Sequence, residues 1–298
     1  MARRLTVRDV ASIDTAVEPL ATADVPNLRL DERARLPEGR LTSLLRAYPD
    51  RSVWIPATGE YAVVGPWRHR PELAVIEAIT AFRHESVLLH ALIARTRASG
   101  AAALLLMDSD ETRRPAFHDR YGFQPLEQIQ TFELPMPARR LHPDVPNGRQ
   151  RLRFAQVEDR SGSLFSQVVS LDHEAFPWLW WNSEEEFRAY LAMPEVEVWA
   201  GSDGDQLLAY VGLTHFPGWG HLDRIAVAPH AQNMGVGRKA MSFAIQRVAA
   251  LGAARMALST QGDNVRSQRL YASMGFRRTL GHDYMVRGVV FDPEKFRH

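Results

Sequence analysis

From Arg238 to Ala250, the apolar residues Met241, Ala244, Ile245 and Val248 recur at three- and four-residue intervals. That spacing puts them on one face of a helix, and Gly252 supplies the stop. The same pattern occurs at Ser86–Ser99, where Leu88, Leu89, Leu92 and Ile93 carry the period, Ser86 offers a cap and Gly100 ends it. Short apolar runs at Ala102–Met107 and Arg255–Thr260 predict buried strands. Val53–Ile55 with Tyr61–Gly65 predicts a hairpin, as does Val196–Ala200 with Gln206–His215 around the turn residues Ser202-Asp-Gly-Asp205. Gly220–Ala228 is a further strand, and Leu73–Ile79 fits a strand or a helix start equally. The remaining expectations are strands at Arg4–Val10, Ile129–Leu134, Arg151–Gln156, Arg277–Leu280 and Tyr284–Val290. Helices are expected at Ile13–Ala23, Leu41–Ala47 and Ser163–His173, with another to Ala192 opened by a Ser183/Glu186 capping box.

A helix, a glycine, a buried strand, a short helix and then Gly-Phe occur at residues 86–123 and again at 238–276. The chain therefore reads as two copies of one α/β (α+β) fold, at 1–135 and 151–298. The joining segment 136–150 carries Pro137, Pro143, Pro146 and Gly148, the composition of a semi-extended linker.

The stretch Leu222–Gly237, LDRIAVAPHAQNMGVG, is a strand, a proline-marked exit, a glycine-bearing loop and a helix start. Gly235 and Gly237 let backbone N–H groups approach a ligand at a helix N-terminus, a ready anion site. A plain packing corner would use the same glycines. A dinucleotide fingerprint, Gly235-Val-Gly237-Arg-Lys-Ala240, would need an acidic residue about 20 positions on. No Asp or Glu occurs between Arg224 and Gly262, and that reading falls.

Gln232-Asn-Met-Gly235-Val-Gly237 has the form Q/R-x-x-G-x-G and resembles the coenzyme A loop of the GNAT superfamily of N-acetyltransferases. Downstream, Asn264…Leu270-Tyr271-x-x-x-Gly275-Phe276 resembles the second signature of that superfamily. The resemblance implies two tandem GNAT folds, each a mixed, mostly antiparallel sheet flanked by helices on both faces, and a layout similar to the mycothiol synthases. It implies acetyl-CoA as cofactor, held by backbone groups of Ile225, Ala226 and Val227 along the pantetheine arm. The amides of Gln232, Asn233, Met234, Gly235, Val236, Gly237 and Arg238 would hold the pyrophosphate. Asn233 stands where many members have glycine, and asparagine tolerates left-handed backbone better than most residues. Val227 N–H would polarise the carbonyl, Tyr271 would protonate the leaving sulfur, and Asn264 would bind cofactor or cap its helix.

The general base stays open between His221 and Asp223, which strand alternation puts on one face. The glutamate that some members carry on the next strand is replaced here by Ser259. An aromatic run, Phe176-Pro-Trp178-Leu-Trp180-Trp181, followed by Glu184, Glu185 and Glu186, suits a cationic amine or simply a core. In the first copy the loop position holds Thr80-Ala-Phe-Arg-His-Glu85, without glycine, and the Tyr271 and Asn264 offsets fall on His118 and Glu111. That copy is expected to have lost the cofactor, with Glu85 repelling phosphate.

Composition narrows the chemistry. With no cysteine there is no acyl-cysteine intermediate and no thiolate metal site, and no metal is expected. A net charge of +1 argues against nucleic acid as partner. The absence of a signal peptide or spanning apolar run gives the expectation of a cytoplasmic protein with no membrane association. A small-molecule primary amine is the favoured acceptor. A non-catalytic acyl-CoA sensor and an N-terminal protein acetyltransferase are the alternatives, and oligomeric state is left open.

Overall fold

The computed structural model describes residues 16–29, 36–109, 115–136 and 152–296. The expected strand Arg4–Val10, Glu111 and nearly all of the linker lie outside the described residues. The first copy runs β1 Glu18–Pro19, α1 Glu38–Ala47, β2 Val53–Ile55, β3 Glu60–Trp67, β4 Arg70–Thr80, α2 Glu85–Ala98, β5 Ala103–Ser109, α3 Pro115–Tyr121 and β6 Gln124–Pro135. The second runs β7 Arg153–Gln156, α4 Ser163–Ala175, α5 Glu184–Tyr190, β8 Val196–Asp203, β9 Gln206–Phe216, β10 Trp219–Val227, α6 Val236–Ala250, β11 Arg255–Gln261, α7 Val265–Ser273, β12 Arg277–Arg278 and β13 Tyr284–Val290. The order β-β-β-α-β-α-β is shared by both copies.

Two expected elements differ. The described part of Ile13–Ala23 is not a helix: Pro19 would break one, and β1 pairs with β2 instead. A 3₁₀ turn at Thr22–Asn27 follows, its start marked by the Asp24 carboxylate accepting Ala21 N–H at 2.9 Å. Ser86 does not cap α2, which begins one residue earlier after His84. The undecided stretch Leu73–Ile79 lies inside β4, paired on both edges by β3 and β5.

The strands form one continuous sheet in the order β1-β2-β3-β4-β5-β13-β6-β11-β10-β9-β8-β7, with β12 also pairing β6. The last strands are exchanged between copies. β13 lies antiparallel against β5, from Tyr284↔Ser109 to Val290↔Ala103, while β6 lies antiparallel against β11, from Arg255↔Pro135 to Gln261↔Ile129. The boundaries 1–135 and 151–298 thus mark sequence copies, and the sheet runs unbroken across them.

Each copy's core follows its periodicity. Leu88, Leu89 and Leu92 of α2 are fully buried with Val53, Ile55, Val64 and Leu104, while Leu41, Leu44 and Leu45 of α1 pack with Trp54 and Val63. Met241, Ala244, Ile245 and Val248 of α6 are fully buried against β9 and β10, which α4 also contacts through Phe165 and Val168. Consecutive buried residues Leu208–Val211 are the mark of a strand covered on both faces. Gly220 lets α6 sit close, since a Cβ there would lie 2.7 Å from Val248 Cγ1. A further cluster crosses the copies: Trp67, Leu73 and Leu105 of the first pack with Leu179, Trp180 and Val286 of the second. Each such side chain contributes roughly 1.5–3 kcal/mol by leaving water, so the two halves are held by core and not by the linker. No helix among the described residues is long and apolar enough to cross a membrane.

Candidate active site

β10 and β11 run parallel only from Trp219↔Arg255 to Leu222↔Leu258. Asp223 then sits as an extra residue in β10, where the register with β9 shifts between Leu222 and Arg224. Such a bulge bends its strand, and beyond it β10 and β11 are no longer paired. The gap opens into two cavities of about 350 Å³ and 560 Å³. Phe176, Ile225, Gln261, Asn264, Ser267 and Tyr271 border both, so the cavities meet beside Tyr271.

The larger cavity follows the glycine loop. Ala228 N–H donates to Leu208 O at 2.8 Å, and antiparallel pairing alternates. The backbone groups of Ile225 and Val227 therefore face the gap, and those of Ala226 face β9. The expectation that Ala226 shares the free edge is corrected accordingly. Gln232 also departs from expectation: its N–H closes a turn onto Pro229 O at 3.3 Å, and its side chain instead donates to Val227 O at 3.3 Å and accepts from Arg266 Nη1 at 2.5 Å. Asn233 (φ 63°) and Gly235 (φ 83°) take the left-handed backbone, which swings the chain into α6. Met234 is half exposed at 49%, and the Val236 side chain is buried in the core.

Gly235 is the N-cap of α6 and no side chain caps it. The first backbone bond of the helix, Lys239 N–H to Gly235 O, leaves the N–H groups of Val236, Gly237 and Arg238 ahead of it. A Cβ at Gly237 would make ordinary contacts with Val227 and Leu270 at 3.5 and 3.6 Å, so the fold would accept one, and the glycine leaves the cleft wider. The Arg238 guanidinium ties α6 to α7 through Ser273 Oγ at 2.8 Å and Met274 Sδ at 3.2 Å. Asn264 caps α7, its Oδ1 accepting from Ser267 N–H at 3.2 Å, while its Nδ2 donates to Thr260 Oγ1 at 3.3 Å. An uncapped helix N-terminus, a free strand edge and the nearby Arg238 and Arg266 together suit a long anionic ligand with an extended arm.

The smaller cavity carries the titratable groups. Tyr271 is buried, and burial raises its pKa against the opposing hydroxyls of Ser267 and Thr260, keeping the phenol protonated. The Asp223 carboxylate accepts from Tyr190 OH and, at 2.6 Å, from Thr214 Oγ1, while its Oδ1 lies 2.8 Å from His221 Nδ1. With both oxygens engaged, the carboxylate fixes Nδ1 as the donor, and Nε2 of His221 carries the free lone pair. Burial and Asp223 together push the Tyr190 phenol well up. Behind them Asp172 is fully buried and holds Arg224, Tyr210 OH and the Asn182 N–H, whose distance is 2.9 Å.

The expected aromatic wall is only partly there. Phe176 and Trp180 line the cavity, but Trp181 stacks on His173 at 4.7 Å and Trp178 packs against Phe296 at 5.3 Å. Glu186 reaches the cavity and is paired with His69 at 2.5 Å, whereas Glu184 bonds Arg188 on the surface. Several lining residues escaped the sequence reading, among them four titratable groups contributed from outside its motifs. Tyr190 sits one turn beyond Glu186, and Tyr284 arrives on the exchanged strand β13. Arg68 and Glu127 come from the first copy. Burial and the neighbouring Asp263 charge raise the Glu127 carboxyl to about 7.

The corresponding corner of the first copy is closed. Between β4 and α2 the loop spans only Ala81–His84, and the Glu60 carboxylate from β3 occupies the helix N-terminus. Its Oε1 accepts the N–H groups of Phe82, of Arg83 at 2.7 Å and of His84 at 3.2 Å. Its Oε2 takes Thr58 Oγ1 at 2.8 Å and His84 Nδ1 at 2.5 Å. Burial raises this acid, but the N–H of Arg83, the His84 ring, the Phe82 N–H and the Thr58 hydroxyl outweigh it and hold Glu60 at about 2. Glu85, the expected repelling charge, instead accepts from Tyr121 OH at 2.9 Å. His118, at the Tyr271 position, is buried against Asp108 at 2.9 Å.

Residues 165–276 match the model of the Acetyltransferase (GNAT) family. Over these residues the chain is similar to the GNAT acetyltransferases. The described architecture as a whole is the tandem form of that fold. A GCN5-related N-acetyltransferase from Sphaerobacter thermophilus is similar over 92% of this chain and 95% of its own, at 15% identity and TM-score 0.57. A tandem GNAT protein from the clavulanic acid biosynthesis pathway is similar over 92% and 98%, at 14% identity and TM-score 0.55. A GCN5-related N-acetyltransferase from Kribbella flavida is similar over 94% and 73%, at 13% identity and TM-score 0.63.

Proposed function

We propose that the second copy transfers acetyl from acetyl-CoA to a primary amine of a small molecule, by direct attack in a ternary complex. The observation that carries this reading is the junction of the two cavities at Tyr271, with an anion-suited cleft on one side and the His221–Asp223 pair on the other. The donor supplies an acetyl group on a thioester, and the chain's own groups do the rest. Helix α6 and the loop Asn233–Arg238 bind the phosphates, and the free edge of Ile225 and Val227 aligns the arm. Val227 N–H offers a hydrogen bond to the carbonyl oxygen, where charge develops. As the amine nitrogen bonds the carbonyl carbon, His221 Nε2 takes its proton, with Asp223 holding the ring. As the C–S bond breaks, Tyr271 gives its proton to the sulfur. The absence of cysteine agrees with a route lacking an acyl-enzyme.

The test is thiol release from acetyl-CoA with and without a panel of primary amines. Amine-dependent release, absent without acceptor, is the expected result. Tight acetyl-CoA binding with only slow, amine-independent hydrolysis would favour an acyl-CoA sensor and overturn the catalytic reading.

A further inference from the structure

Arg68 reaches from the first copy into the wall of the second copy's smaller cavity. It and His69 form the two-residue turn between Trp67 and Arg70, and both have φ 53°, the left-handed backbone that a two-residue hairpin turn requires. The hairpin sets the backbone, and its partners fix where the turn points. Those partners come from the second copy: Ser183 Oγ donates to Arg68 O at 3.1 Å, and His69 Nδ1 meets Glu186 Oε2. The Arg68 guanidinium is thereby pressed into the wall of the second copy's smaller cavity, 5.0 Å from the centre of the Trp180 ring.

Its charge is poorly matched there. Nη1 donates to the neutral Asn182 Oδ1 at 2.6 Å, and Nε is buried with no hydrogen-bond partner. The neighbouring carboxylates are committed elsewhere: Asp172 to Arg224, Glu186 to His69, and Asp223 to His221 and two hydroxyls. Among the described residues no carboxylate pairs with Arg68. Burial, reinforced by the Arg224 charge, lowers its pKa to about 10 against the opposing charges of Glu186 and Asp172. A guanidinium fork matches a carboxylate with two parallel bonds, and a cavity of about 350 Å³ is the size for a small metabolite.

We infer that Arg68, supplied by the first copy, is the anion subsite of the acceptor cavity, and that the acceptor is an amino acid or similar amine bearing a carboxylate. This rests on the acetyl-transfer reading for the amine end. It gives the degenerate copy a specificity role: its hairpin reads the acid group while the second copy does the chemistry.

The test compares amino acids with their amides and decarboxylated amines as acceptors, in the native protein and in Arg68→Met. The native protein is expected to prefer the acid by at least tenfold in kcat/KM. In R68M that ratio should collapse towards one, mainly through KM for the acid, with acetyl-CoA titration as the control for folding. Amides or decarboxylated amines used as well as acids by the native protein would overturn the inference. So would an equal loss for all acceptors in R68M, the signature of a merely structural hairpin. If no amine releases thiol, the acetyl-transfer reading fails by itself. Calorimetry with the amino acids and their N-acetyl derivatives then decides the subsite: binding by the native protein that is lost in R68M supports it, and no binding refutes it.

Discussion

The two strand–loop–helix corners, β4 into α2 and β10 into α6, start from the same topology and end in opposite states. In the first, a four-residue loop brings the helix N-terminus onto Glu60, and the chain's own carboxylate satisfies three backbone N–H groups. In the second, an eight-residue loop with two left-handed residues leaves the helix start uncapped beside an open cleft. The N-terminus of a helix attracts an anion in both cases. What differs is who supplies it. Counted by strand pairing, Glu60 precedes Tyr61, the partner of Thr80, and the corresponding residue before Ala209, the partner of Val227, is the buried, apolar Leu208. On the proposed acetyl-transfer reading, the first copy's site is retired by filling its anion hole from within, and the copy is kept for stability and for walls of the other site.

Three substitutions bear on that contrast, in order of expected effect. Tyr271→Phe removes the proton donor at the junction of the open site. Turnover should fall by roughly 10²–10³-fold with acetyl-CoA affinity little changed. Equal activity would remove Tyr271 from the chemistry. Glu60→Gln empties the closed corner of its charge. Glu60 is held at about 2 against an ordinary 4.5, worth about 3 kcal/mol at ~1.4 kcal/mol per tenfold in proton affinity. Since the folded-state pKa is depressed, that stability is fully present above pH 4.5 and is lost as pH falls through about 2. The variant should lose about that much in denaturant unfolding at pH 7, with a flatter acid limb. An unchanged unfolding free energy would show the corner to be ornamental.

Glu127→Gln has the smallest effect. The native carboxyl, raised to about 7, is neutral below that pH and charged above it. Acetyl-CoA affinity should therefore weaken a few-fold between pH 6 and pH 8, and E127Q should abolish that dependence. If E127Q instead abolished turnover, Glu127 would replace His221 as the proton acceptor.

What was legible in the sequence was local. The run Gln232–Gly237 and the run Asn264–Phe276 each carry their signature within thirteen residues, and the helices α2 and α6 carry their faces in their periodicity. The His221–Asp223 pair was within reach for the same reason, although only the bulge at Asp223 shows why the strands part, and only its hydrogen bonds to Tyr190, Thr214 and His221 show that the carboxylate is committed. The exchange of β6 and β13 was not legible. A strand's alternation says which face is buried and nothing about which strand lies beside it, and Tyr284 pairs with Ser109 and Ile129 from far up the chain. Arg68 and Glu127 were missed because their site is built on that exchange and on the docking of the β3–β4 hairpin. Ala226 and Gln232 were assigned by motif alone, and hydrogen-bond alternation and a tight turn took their backbone groups elsewhere.

The central claim is that one corner is open and the other is closed. Calorimetric titration of the whole chain with acetyl-CoA, reading stoichiometry, tests it directly. One site per chain is expected, and Gly237→Trp, at a position where an added Cβ makes only ordinary contacts, should eliminate it. Two sites per chain, or one site that survives in G237W, would contradict the account.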